Sequence, residues 1–227
     1  MSRRLAVPPL LAVATGAALL LTGCTADPLS VVILNARAPG DKCDFKDPTL
    51  YVIRGSLDFR PGGSALAAGY FQAFSWSNQM QANPISVNGE VVDPGGGNDF
   101  IGDTIVYEYG YSDPSVVIAP ETQNVREAIA AGGLPEANFM GAELIQPGAA
   151  TALDTTLGPT GQTLVVTFQM FGKIAGGTSK NTNKASFPLV VHKSSTTPIT
   201  CPAGTKLYVG PCGVAGRDAP VQCVASN

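Results

Sequence analysis

The sequence predicts an all-β protein: an antiparallel β-sandwich with one short helix and a disulfide-bonded C-terminal tail. Three observations support this fold class. Charged residues make up only 14% of the 227-residue chain, well below the roughly 25% of an average domain. The chain contains 26 glycines and 18 prolines, and these residue types are the ones that turns favour. Between the turns lie short segments rich in valine, isoleucine, threonine and aromatic residues, which favour strands.

About eight or nine candidate strands follow one another along the chain. The clearest is 163–175, and in 101–111 apolar and polar residues alternate at the period of a strand. Within 85–92, Asn88-Gly89 stands between apolar residues and indicates either a hairpin turn or a bulge in one strand. The remaining candidates are 29–34, 51–59, 69–80, 116–118, 142–145 and 185–193. This succession of short strands is typical of a sandwich, and we expect an immunoglobulin-like arrangement.

One helix is predicted over residues 123–131. Thr122 is placed to cap its N-terminus, and Gly132 is placed to end it. Residues 134–160 are rich in loop-forming residues, and we expect no further helix there.

The N-terminus has the layout of an export signal. Two arginines precede an apolar stretch, 5–21, and no charged residue follows until Asp27. The stretch ends in Leu21-Thr22-Gly23-Cys24, which resembles the lipobox of bacterial lipoproteins. The resemblance covers only the first ~25 residues. It implies cleavage before Cys24, lipidation of that cysteine by a diacylglycerol and a further acyl chain such as palmitate, and display at the cell envelope.

The residue after the lipidated cysteine bears on which membrane holds the protein. In well-studied bacteria with two membranes, an aspartate at that position retains a lipoprotein at the inner membrane. Thr25 occupies the position here, so the resemblance implies the outer membrane. The alternative is an ordinary signal peptide or an uncleaved anchor, in which Cys24 has no role.

These features divide the chain into four parts. Residues 1–23 are the signal peptide that is removed, and 24–40 are the lipidated tether with the first strand. Residues 41–193 are the sandwich domain, and 194–227 are a Cys-rich segment. The chain has 14 basic and 17 acidic residues, and this acidic balance argues against a nucleic-acid partner and against a polybasic membrane patch. Lipid on Cys24 is therefore expected to be the membrane anchor.

Four cysteines remain besides the predicted lipidation site. An even number in an exported protein predicts disulfides. We expect Cys212–Cys223 together with Cys43–Cys201, and the alternative is Cys201–Cys212 together with Cys43–Cys223. No Cys-x-x-Cys pair is present, so the cysteines do not indicate a metal site.

The sequence carries no recognisable catalytic motif, and we expect neither an enzyme nor a cofactor. A serine or cysteine nucleophile usually needs a histidine base, and the only histidine, His192, is expected at an exposed strand end. Glycoside hydrolysis needs two facing carboxylates. The acidic residues that offer this chemistry are Glu90, Asp93, Asp99, Asp103 and Glu108.

Two segments are candidate ligand sites. Asp93, Asn98, Asp99 and Asp103 surround a glycine-rich loop and supply the oxygen ligands that calcium prefers, although ordinary turns have the same composition. The second candidate is an aromatic platform on one face of the strand 101–111, formed by Tyr107, Tyr109 and Tyr111.

Three functions compete on this evidence. The first is a non-catalytic envelope protein that is structural or binds a protein or glycan partner. The second is a polysaccharide hydrolase that uses carboxylates alone. The third is a receptor that delivers a soluble ligand to a transporter. The composition and the motifs favour the first.

Overall fold

The computed structural model describes residues 29–59, 69–93, 96–194, 199–208, 212, 217–218 and 222–226. Strands account for most of the regular structure in this part of the chain. They are β1 (Val31–Arg37), β2 (Tyr51–Val52), β3 (Gly55–Asp58), β4 (Phe71–Asn78), β5 (Ile85–Val87), β6 (Glu90–Asp93), β7 (Phe100–Tyr111), β8 (Glu121–Ile129), β9 (Phe139–Glu143), β10 (Gln162–Ile174), β11 (Ser179–Asn181), β12 (Ala185–His192), β13 (Thr205–Leu207) and β14 (Cys223–Ala225). The helix α1 spans Pro147–Thr156.

The strands form a two-sheet sandwich. One sheet has the order β2-β1-β4-β9, and the other has the order β3-β12-β10-β7-β8 with β11 beside β10. The neighbouring strands are antiparallel except for β3 and β12, which are parallel. Two hairpins, β5-β6 and β13-β14, stand apart from both sheets. The predicted all-β, antiparallel sandwich is confirmed.

The long strands follow an immunoglobulin-like order. In chain order, β1, β4, β7, β8, β9, β10 and β12 correspond to strands A, B, C, C′, E, F and G. The sheets then read A-B-E and G-F-C-C′, which is the Greek-key arrangement of that sandwich. The short strand β3 adds a parallel neighbour to the G position.

Aromatic side chains fill the space between the two sheets. The ring of Phe74 on β4 lies 4.7 Å from that of Phe168 on β10, and Trp76 meets Phe100 edge-on at 6.2 Å. All four side chains are almost fully buried. Such pairs add to the hydrophobic contribution of their buried area, so this layer is the main stabilising contact between the sheets.

The predicted helix over 123–131 is wrong, because residues 123–129 belong to β8 and a turn follows. Their side chains alternate between exposed and partly buried from Glu121 onward, which is the period of a strand. Strand β7 offers a full antiparallel partner for this segment, and tertiary pairing overrides the local capping signals. The short strand predicted at 116–118 is a loop.

The helix α1 lies in the region that was predicted to be loop. Pro147 occupies its first turn, where the missing N–H of proline costs nothing. The N–H groups of Gly148 and Ala149, in the first turn, are capped by the carboxylate of Glu121, at 3.0 Å and 2.6 Å. The buried side chains are Ala149, Ala150 and Leu153.

The structure corrects both predicted disulfide pairings. Cys43 is bonded to Cys212, and Cys201 is bonded to Cys223. In the hairpin of β13 and β14, Leu207 lies opposite Cys223. Cys201 precedes β13, and the chain there lies close enough to β14 for Cys201 to bond to Cys223. The tail also packs against the sandwich, since residue 217 forms a bridge with Leu57 of β3.

A buried arginine holds two loops against the outer face of the first sheet. The side chain of Arg37 is only 1% exposed, and its guanidinium lies 5.1 Å from the centre of the Phe139 ring. Its nitrogens donate to Ser75 Oγ at 2.9 Å and to the Phe45 carbonyl at 2.8 Å. They also donate to the carbonyls of Pro135, Glu136 and Asn138.

Candidate binding site

The predicted lipidation site, Cys24, and the signal peptide lie outside the described residues. The described chain starts at Leu29 and enters β1 at Val31. The N–H of Gln79, just after β4, donates to the Ser30 carbonyl at 2.6 Å, which fixes the entering chain at one end of the sandwich. In the described part of the chain, no helix is long and apolar enough to cross a membrane.

The predicted calcium loop does not bring its ligands together. Asp93 Oδ1 accepts the N–H of Gly96 at 2.9 Å, and Asp99 Oδ1 accepts the N–H of Ala131 at 2.8 Å. Asn98 donates to the Gln81 carbonyl, and Asp103 is exposed on β7. Across residues that the structure describes, no three His, Cys, Asp or Glu side chains cluster as a metal site. The polar side chains of this segment instead stabilise turns. 

The three tyrosines share one face of β7, as predicted, but that face points into the protein. Tyr107 is fully buried and donates to Gln123 Oε1 at 2.7 Å. Tyr109 and Tyr111 pack against the core, and burial raises the pKa of both phenols. The prediction of an exposed aromatic platform is therefore wrong.

The acidic candidates for paired catalysis are scattered. Glu90 is exposed on β6, and Glu108 is paired with Lys184 at 2.8 Å on the outside of the second sheet. Asp93 and Asp99 accept hydrogen bonds from the backbone N–H groups of Gly96 and Ala131. The structure does not bring these five side chains to one cleft.

His192 and Ser194 both lie beside a buried carboxylate, that of Asp58. His192 Nε2 lies 3.8 Å from Asp58 Oδ2, and the Ser194 hydroxyl donates to the same oxygen. A nucleophilic serine would instead donate to the histidine, with the carboxylate behind the imidazole. The three groups are therefore not arranged as a catalytic triad, and their contacts hold the end of β12 in place.

A cavity of about 440 Å³ opens at the end of the sandwich opposite to Ser30. It lies where the chain leaves β1 and where β3 meets β12. Its volume is in the range of small-molecule sites in proteins. The lining residues are Pro39, Val52, Arg54, Gly55, Ser56, Tyr70, Gln72, Val190 and Asp218.

The C-terminal tail completes this cavity through Asp218. The Tyr70 hydroxyl lies 2.8 Å and 2.9 Å from the two carboxylate oxygens of Asp218, and the Ser56 N–H donates to Oδ1 at 2.9 Å. Asp218 has a φ of 55°, a conformation that aspartate tolerates better than most residues. At Gly55 a Cβ would lie 2.0 Å from the Tyr70 hydroxyl, so the tyrosine needs glycine there.

Arg217, the neighbour of Asp218, connects the cavity to a buried acid. Its guanidinium lies over the Tyr70 ring at 4.7 Å and donates to the Phe71 carbonyl. Glu143 lies close enough to Arg217 for the positive charge to lower the pKa of its carboxyl group. Within the described residues, two buried atoms of this pair have no hydrogen-bond partner, Glu143 Oε1 and Arg217 Nε.

Burial raises the pKa of Glu143 to about 7, and the charge of Arg217 only partly offsets this effect. A group with such a pKa changes its charge in the physiological pH range. Perturbed carboxylates cluster at functional sites, and the shift is large at Glu143.

The Glu143→Gln variant tests this environment. In the native protein the carboxyl keeps its proton up to about pH 7, whereas an unfolded glutamate loses it near pH 4.3. The contribution of this carboxyl to native stability is therefore fully present below about pH 4 and is lost as the pH rises to 7. We expect Glu143→Gln to match the natural protein at pH 4 and to exceed it by about 1–2 kcal/mol at pH 8, after a discount for solvent screening. Urea denaturation at both pH values measures this, and a constant difference would contradict it.

The residues of this site come from distant segments and form no sequence motif. Arg54 and Ser56 precede β4, Tyr70 and Gln72 begin it, and Asp218 belongs to the tail. Only the fold brings them together, and sequence analysis missed all of them. No family model, curated protein or solved structure matches the chain.

Proposed function

We propose that this chain is a lipid-anchored protein of the bacterial cell envelope whose sandwich binds a ligand without catalysing a reaction. The lipobox ending at Cys24 supports the anchor. The two disulfides support an oxidising compartment outside the cytoplasm. The missing aspartate after Cys24 favours the outer membrane.

The observation that carries this proposal is the placement of the cavity relative to the tether. The chain enters the sandwich at Ser30, whereas the cavity residue Pro39 follows the other end of β1 and Val52 pairs with Ala36 near that end. A seven-residue strand separates them, a distance of about 23 Å at ordinary strand rise. With lipid on Cys24, the cavity faces away from the membrane and is accessible to ligands.

The lining favours a polar ligand that is rich in hydroxyl groups. Arg54 is exposed and supplies a cation, while Ser56 supplies a hydroxyl group. The carboxylate of Asp218 is already held by the Tyr70 hydroxyl and the Ser56 N–H, so it opposes an anionic ligand less than a free carboxylate would. An acidic envelope polysaccharide has this chemistry, because its sugars offer hydroxyls and its carboxylates suit arginine.

Calorimetric titration with polygalacturonate as the probe tests the proposed site. We expect saturable binding by the natural chain, and about tenfold weaker binding by Arg54→Ala, since losing one charge-assisted contact costs about 1.4 kcal/mol or more. The matched control is Arg126→Ala, which removes an exposed arginine from β8 and should leave binding unchanged. Equal affinity of the two variants would reject this site.

The alternative function is a carboxylate-dependent polysaccharide hydrolase, and Glu143 favours it. A carboxyl group with a pKa of about 7 is suited to donate a proton to a leaving group. In the same titration, this alternative predicts the release of new reducing ends and the loss of that release in Glu143→Gln. Binding without release supports the non-catalytic function.

A further inference from the structure

An exposed β-hairpin leaves the sandwich after β4. It comprises residues 81–93, with strands β5 and β6, and is named the arm. Residues 81–92 are all exposed, and the tip, Asn88-Gly89, has the two positive φ angles of a tight hairpin turn, 52° and 85°. Four branched apolar side chains are exposed on it to 49–60%, those of Ile85, Val87, Val91 and Val92.

The arm has few contacts with the rest of the described chain. Its two strands pair only with each other. At its base, Asn83 bridges to Gly96, and the Gln81 carbonyl accepts a hydrogen bond from Asn98. An isolated two-stranded hairpin is marginally stable in water, and a group of exposed apolar side chains marks an interaction surface. A surface that covers these side chains would therefore stabilise the arm.

The arm and the N-terminal tether lie at the same end of the sandwich. The N–H of Gln79 donates to the Ser30 carbonyl, and the arm begins two residues after Gln79. An extended chain from Cys24 to Ser30 reaches at most about 20 Å. The five residues from Asn83 to the tip reach about 17 Å. A membrane that holds the acyl chains of Cys24 thus lies within the length of the arm.

We propose that the arm places its apolar side chains in the interfacial layer of the membrane to which Cys24 is anchored, as a second membrane contact. This proposal rests on the lipid anchor proposed above. The acyl chains of Cys24 already suffice for stable anchoring, so the second contact supplements an attachment that the lipid provides. The second contact also fixes the orientation of the sandwich and keeps its cavity turned outward.

The charge of the arm defines the lipid surface. It carries Glu90 and Asp93 and has no lysine or arginine. Attraction to anionic headgroups is therefore excluded as the driving force, which is instead the burial of apolar surface. We expect the contact to form on zwitterionic phosphatidylcholine and to be insensitive to salt, unlike a polybasic contact.

Tryptophan fluorescence on the acylated full chain tests the contact. The protein is purified from its native membrane, its mass is checked for acylation, and it is reconstituted into vesicles of phosphatidylcholine with bromine on the acyl chains near the headgroup. Val87→Trp reports on the arm. Val117→Trp is the matched control, because Val117 is 85% exposed on the loop between β7 and β8 at the opposite end. The natural Trp76 is buried and gives the same background in both variants.

We expect brominated lipid to quench and blue-shift the emission from position 87 and to leave position 117 unchanged. Adding Val91→Asp to Val87→Trp should abolish the quenching, whereas adding Leu134→Asp, another exposed apolar position, should not. An acylated protein with no quenching at position 87 would overturn the arm contact alone. Protection of the arm by self-association without lipid would also overturn it. A chain without acyl groups would overturn both the anchor and the contact.

Discussion

Replacing Cys43 and Cys212 together by alanine is expected to lower the free energy of unfolding by about 5 kcal/mol. The two residues are 169 positions apart, so the bond closes most of the chain into a loop. In the chain-entropy model, a long loop restricts the unfolded state most strongly. The loss should be larger still if the tail detaches, because Asp218 then no longer holds Tyr70 and Ser56. Guanidinium denaturation of the two proteins measures the difference.

The second disulfide is the matched control for this prediction. Cys201 and Cys223 are 22 positions apart, and their joint replacement by alanine should cost about 3 kcal/mol in the same model. Removing this bond should leave the cavity beside Arg54 intact, because none of the residues that line the cavity belongs to the β13-β14 hairpin. A greater loss from the short loop than from the long one would contradict the pairing in the structure.

Replacing Arg37 by methionine is expected to cost about 3–5 kcal/mol of stability, because hydrogen bonds to a charged group contribute about 1.5–3 kcal/mol each and several are lost at once. Methionine keeps an unbranched apolar side chain but lacks the guanidinium, whose nitrogens donate to one serine hydroxyl and four backbone carbonyls. Buried acceptors that lose their donor carry the full cost of leaving water. The loops that the guanidinium holds, near Phe45 and Pro135, should then exchange their amide hydrogens faster.

Arg126→Met provides the comparison for this substitution. Arg126 is exposed on β8, so its replacement should change stability by no more than about 0.5 kcal/mol. Urea denaturation of both variants separates the loss of the buried hydrogen bonds from a general effect of removing a positive charge. Equal midpoints for the two variants would show that Arg37 does not hold the loops.

The sequence was sufficient to predict the fold class because its strand signals are local. Alternation over 101–111 and the apolar segment 163–175 correspond to β7 and β10, the two central strands of the second sheet. Asn88-Gly89 likewise marks a turn that the structure confirms. These signals depend on neighbours two residues apart, and each is complete within one segment.

The failed predictions depend on contacts between distant segments. The predicted helix over 123–131 has capping signals at both ends, yet β7 provides a partner that makes most of this segment more stable as a strand. The helix α1 is capped by Glu121 from another element, so its own N-terminus carries no capping residue. The disulfide pairing likewise follows from where the tail packs, and cysteine spacing alone does not encode it.

The candidate site is the part furthest from what a sequence reveals. Tyr70 and Asp218 are 148 positions apart, and neither belongs to a recognisable motif. In the sequence Glu143 looks like an ordinary strand acid, and only the fold shows the burial that raises its pKa. The sequence shows the alternating tyrosines of β7, but only the packing of the two sheets shows that their shared face is the inner one.

Intact mass spectrometry of the protein purified from its native membrane tests the central claim most directly. If the protein is lipid-anchored, we expect the mass of a chain that starts at Cys24 and carries a diacylglycerol and a further acyl chain. Its two disulfides predict a gain of four hydrogens on reduction. A mass that still includes residues 1–23, or a cleaved chain without lipid, would contradict the anchor and with it the outward orientation of the cavity.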